Sequence, residues 1–159
     1  MEARLRQFLA WVLSRAIGGI VLGLVGLAFV QVVLRYVFSS AILWVEEVSV
    51  MALIWMVWLG IVYLWLTRAH IAVDLIGGAL SAPAQRRLAF AIDVLALIGG
   101  VTLTWISLET LNIYSGMELG SLEMDASTKY IPVTVGGAGL ALAALLDLWK
   151  AMTSPEPSK

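Results

Sequence analysis

A few polar residues stand out in a mostly apolar chain, and each has a definable chemistry. Asp93 lies inside an apolar run, where an ionised carboxylate is costly and by default marks a functional site. Near a bilayer midplane such a group can carry a proton or a sodium ion. Asp93 is shallower than that, about five residues or roughly 8 Å inside its run, so it can also reach headgroup water or a base such as Arg15. Both readings, ion carrier and structural pair, remain open. His70 and Asp74 stand four apart and share a face if 71–80 is helical. A histidine and a carboxylate can relay a proton, but without a third group or a second histidine the pair is better suited to ordering a loop. Arg35 and the adjacent Glu46 and Glu47 flank a short connection that returns opposite charges to one level, so an ion pair is sterically easy. The two glutamates also suit the positive end of a helix dipole. Gln31, one turn before Arg35, extends a polar stripe that should face protein and not lipid.

Composition removes most other chemistry. With no cysteine and a single histidine, the 159 residues supply no thiolate site, no dithiol pair and too few donors for zinc or a haem-anchoring bundle. A net charge of −1 with no basic run argues against nucleic acid. No phosphate-cradling loop, nucleophile elbow or zinc motif is present, and no pair of interrupted helices of the kind that builds transporter substrate sites. The sequence therefore assigns no catalytic, cofactor-binding or metal-binding residue. It describes an accessory and not an enzyme.

The elements that must position these residues are membrane helices. The chain is 61% apolar, and its mean hydropathy is +0.95. A hydrocarbon core about 30 Å thick needs about 20 helical residues, and four windows meet that length: 16–34, 48–66, 88–108 and 131–149. The first is too long for the apolar part of a signal peptide and predicts an uncleaved span. The expected fold is an all-α, integral membrane four-helix protein with a short interfacial helix over 71–80 and a flexible tail at 150–159. Arg4, Arg6, Arg15, Arg68, Arg86, Arg87, Lys150 and Lys159 flank one side of these spans, against Arg35 and Lys129 on the other. That asymmetry predicts both termini in the cytoplasm. The opposite loops carry Glu46, Glu47, Glu109, Glu118, Glu123 and Asp125, an acidic face that serves either as plain solvated surface or as a contact for an external partner. Trp44 suits the interfacial belt or an intersubunit anchor, whereas Trp55 and Trp58 share a face near midspan, where packing against another helix explains them. Gly19 with Gly23, and Gly137 with Ala141, have the four-residue spacing that lets helices approach closely.

Taken in order, Leu34-Arg35-Tyr36-Val37-Phe38, Trp44-Val45-Glu46-Glu47, Trp55, Trp58-Leu59-Gly60, His70-Ile71-Ala72-Val73-Asp74, Pro83, Arg87, Tyr130-Ile131-Pro132 and Gly136 resemble the small permease subunit of tripartite ATP-independent periplasmic (TRAP) transporters, the DctQ-like family. The resemblance is strongest over 34–74 and architectural elsewhere. Two departures affect loop geometry: 40–43 lacks the proline the family often places there, and Ala69 stands where a glycine is usual.

The resemblance implies a subunit of an uptake system for organic anions, usually carboxylates, in a bacterial cytoplasmic membrane. It implies a large permease as partner, driven by an ion gradient, and a periplasmic solute-binding protein as a transient one, with membrane lipids around both. Arg35, Trp44, Glu46, Glu47, Trp55, Trp58 and Gly60 are then the expected interface or structural motif, His70 and Asp74 the cytoplasmic-loop motif, and Gln31 and Asp93 the intramembrane polar groups. The competing reading is an autonomous four-helix exporter acting as a homodimer, which needs a central acid where span one offers only Gln31.

Overall fold

The structure, a computed structural model, describes residues 2–39, 42, 44–67, 81–120 and 123–153. Four long helices account for most of them: α1 (Glu2–Val37), α2 (Trp44–Leu66), α3 (Ala82–Tyr114) and α4 (Ile131–Thr153). Each is long and apolar enough to cross a membrane. Helix is the form such segments must take, since lipid offers no partner for backbone N–H and C=O groups. Pro83 and Pro132 fall in the first turns of α3 and α4, where the missing N–H has no helical acceptor to lose. Glu46 and Glu47 occupy the first turn of α2, as their fit to the helix dipole predicts.

The helices outrun the apolar windows at most ends, and three differences bear on the expected fold. The first helix begins at Glu2 and not near residue 16, because 2–15 is rich in Ala, Leu, Arg and Gln, good helix formers with no Gly or Pro to stop them. Residues 150–153, assigned to the tail, continue α4. Between α3 and α4 the chain is not wholly helical: β1 (Glu118–Leu119) pairs antiparallel with β2 (Met124–Asp125), Glu118 opposite Asp125, and a 3-10 turn (Ala126–Tyr130) leads into α4. The interfacial helix expected over 71–80, with His70 and Asp74, lies outside the described residues, as does 154–159.

The packing order is α3, α4, α2, α1. Helix α4 lies between α3 and α2, and α1 rests chiefly on α2. Burial follows that order: 39% of the α4 apolar window is buried, against 0% of the α1 window. Small residues make the centre tight. A Cβ on Gly100 of α3 would lie 2.8 Å from both Gly137 O and Ala141 N of α4, so these backbones are nearly in contact. Toward the chain termini, Trp65 of α2 closes on Ala143 and Ala144 of α4, with Ile92 and Ala96 of α3 completing the core. Helices α2 and α4 run parallel and α3 antiparallel to them, so the bundle has a terminal end and a hairpin end.

Candidate functional site

Three contacts join the helices between midspan and the hairpin end, and Trp58, Gly136, Tyr130 and Glu47, four of the residues that carry the resemblance, take part in them. Trp58 of α2 lies flat on Gly136 of α4; a Cβ at 136 would sit 2.7 Å from both Cβ and Cε3 of the tryptophan. One turn on, Val62 meets Gly139. The midspan tryptophan thus packs on a helix, which is the role its position predicts. Trp55 instead lines a cavity of about 280 Å³ with Ile20, Val48, Met51, Ala52 and Met124, between α1 and α2.

The second contact joins α3 to the start of α4. Ser107, 2% exposed, donates from its hydroxyl to Tyr130 O at 2.9 Å and lies 2.6 Å from Thr134 Oγ1. Tyr114 stacks on Tyr130 with ring centres 5.4 Å apart. In a membrane such bonds each contribute about 0.6 kcal/mol on average, but they are directional and fix register.

The third contact shapes the hairpin. Asp125 accepts from Gly116 N–H through Oδ2 and from Ser127 N–H through Oδ1, both at 2.8 Å, so one carboxylate joins the end of α3 to the 3-10 turn. Gly116 has φ +82, the left-handed value that favours glycine just past a helix end. The Gly116 bond foremost, then the Ser127 side chain and N–H, hold the Asp125 carboxyl below its ordinary value of 3.8. At the hairpin tip, Gly120 (φ +39) packs directly on the Glu47 carboxylate, tying the hairpin to the first turn of α2.

The remaining sequence-predicted residues are spread around this frame. Among the described residues no ion pair joins Arg35 to Glu46 or Glu47: Arg35 and Glu46 are exposed, and Glu47 is half-buried under the hairpin. The end of α1 and the start of α2 do not bring the charges together as the short connection suggests. Trp44 is 42% exposed, and Gly60 has open space around it. Gln31 is half-buried on the α1 face turned toward α2, whereas Arg35, one turn later, is exposed. The stripe therefore divides. Asp93 is half-buried and engaged. Arg15, its suggested partner, is instead 5.6 Å from the Trp11 ring centre.

One ionic feature was not singled out from sequence. Arg6 Nη2 lies 2.5 Å from Asp147 Oδ1, joining α1 to α4 at the terminal end, with Asp147 only 4% exposed. The signal available was a carboxylate inside the fourth window, the same one that marks Asp93. Its partner is 141 residues away, and no local pattern connects them.

Among the described residues, no group of three or more His, Cys, Asp and Glu is gathered to hold a metal. The frame joins three helices and a hairpin and leaves α1 at the edge. Residues 24–154 match the family described as "Tripartite ATP-independent periplasmic transporters, DctQ component". A Haemophilus influenzae protein, described as a candidate TRAP transporter small permease, is 22% identical over 127 residues, covering 80% of this chain and 77% of that protein. The match covers most of a chain with four membrane-length helices, and the chain belongs to the DctQ family of TRAP transporter components.

Proposed function

We propose that this chain is the small membrane subunit of a TRAP-type secondary transporter for organic anions, carboxylates foremost, and that it braces the large permease. It sits in a bacterial cytoplasmic membrane with its terminal end in the cytoplasm, an orientation that the bias of Lys and Arg supports. The hairpin end then faces the periplasm, where exposed Glu46, Glu118 and Glu123 are available to a docking solute-binding protein. The observation that carries the reading is the family match over 24–154, joined to a bundle in which no residue of the α1 window is fully buried. A partner that covers α1 gives that helix what its own chain does not. Arg35, Trp44 and Glu46, exposed at the hairpin end, are the side chains we assign to that contact, with Gly60 allowing close approach.

The test is co-expression with a large permease and a binding protein encoded beside it. The tagged chain should retain the permease through detergent purification, and proteoliposomes should take up the anion only with all three components. Normal uptake by the permease without this chain overturns the proposal. Transport by this chain alone does so too, and returns the autonomous exporter.

A further inference from the structure

We propose that Arg6 and Asp147 form a latch that fixes the terminal end of α1 on the bundle, with Asp147 as the positioning residue for the first helix. The argument begins with how little else holds α1. Its half-buried side chains, among them Ala10, Leu13, Ile17, Leu24 and Leu27, recur at alternating spacings of three and four. They form one seam, and that seam faces α2. Between Arg6 and Gln31 the seam contacts are apolar, and lipid tails are as apolar as leucine, so they carry little directional preference. The seam is also incomplete, since the 280 Å³ cavity opens beside Ile20. A smooth, partly open seam lets one helix slide or swing on another.

Arg6 continues the same seam one turn before Ala10. It is the arginine at the start of α1 that turns to the bundle: Arg4 is exposed, and Arg15 lies beside Trp11. Arg6 reaches past α2 to α4, which the rest of α1 scarcely touches. The acceptor is rigidly placed. Asp147 is flanked by Ala143, Ala144 and Leu148, all buried, in the tightest part of the protein. A mobile cation on the peripheral helix thus meets a fixed, nearly dry carboxylate on the central one. A charge-assisted hydrogen bond in surroundings this dry is short and directional, so the contact is far more selective for position than apolar packing. The latch sets the axial position and tilt of α1, and through them the width of the cavity beside Ile20.

The chain has no cysteine, so spin labels can be placed at will. One labelled pair, Leu9→Cys with Lys150→Cys, reports α1 against α4 from exposed sites at the terminal end; a second, Leu95→Cys with Leu146→Cys, reports α3 against α4. Distances are measured by pulsed electron resonance in nanodiscs. We expect Asp147→Asn and Arg6→Gln each to make the α1 to α4 distribution about twofold broader or displaced, while α3 to α4 stays unchanged, and the exchange Arg6→Asp with Asp147→Arg to narrow it again. An unchanged α1 to α4 distribution in both single variants overturns the latch. Equal broadening of both pairs overturns it as well, because the ion pair is then a support for the whole bundle and not a positioner of α1.

Discussion

Gly136 of α4 carries the ring of Trp58 of α2 so closely that even a methyl group at position 136 has nowhere to go. The parallel pair of helices is set at this point, and a Gly136→Val variant should lose about 1–3 kcal/mol of stability through overpacking. Unfolding by SDS titration measures it. Trp58→Leu in the same background should recover part of the loss, because the two positions share one contact.

Two glycine spacings that look alike in sequence differ in this respect. Gly137→Ala sets a Cβ 2.8 Å from Thr104 Oγ1, whereas a Cβ at Gly23 meets nothing within 4 Å. Gly137→Ala should therefore lower the unfolding midpoint. Gly23→Ala should leave it unchanged or raise it by up to about 1 kcal/mol, as expected where a helical glycine has no packing role.

Ser107 is buried and bonded to both Tyr130 O and Thr134 Oγ1. Ser107→Ala should cost about 0.5–1.5 kcal/mol, within the range measured for interhelical hydrogen bonds in membranes. Thr134→Val added to it should cost less than the two single changes summed, which a double-mutant cycle reads directly.

Asp125 gives the hairpin a defined acid response. Its folded pKa is depressed, so the stability it contributes is present above the ordinary value of 3.8 and is lost as pH falls through the lower folded value. The amide proton shifts of Gly116 and Ser127 should titrate together with a midpoint below 3.8, and Asp125→Asn should abolish that titration. Separate midpoints for the two amides would show that one carboxylate does not hold both.

At the hairpin tip the cost of a side chain has two parts that can be separated. Gly120→Ala should lose about 1 kcal/mol, chiefly from its left-handed backbone at φ +39, because the opposing Glu47 carboxylate is the far end of a flexible side chain. The loss measured in a Glu47→Ala background should agree within about 0.5 kcal/mol.

The four spans were legible because lipid leaves a polypeptide one economical answer, and length alone reads it. The start of α2 was legible for a second reason: Glu46 and Glu47 mark a helix N-terminus wherever they occur. The start of α1 was not. Hydropathy sees the apolar window, while the helix runs through Arg4, Arg6 and Arg15 on backbone propensity. The hairpin was hidden in a stretch whose strands are two residues each, too short for any period to show. Arg35 and Glu46 are close along the chain, yet they make no ion pair among the described residues, while Arg6 and Asp147 lie 141 apart and do. Sequence proximity predicts charge pairing only when the intervening turn is known.

The pairing of Arg6 with Asp147 also bears on how the protein is made. Helix α1 has no acidic residue from Ala3 through Val37 and no fully buried residue in its apolar window, so it can settle in the bilayer without waiting for later segments. The last helix cannot, since it must carry a carboxylate into a dry neighbourhood. Arg6, a cation paired with it, precedes it by 141 residues. Assembly thus links the two helices: α1 supplies a charge that favours the seating of α4, and an Arg6→Gln variant should seat α4 less efficiently.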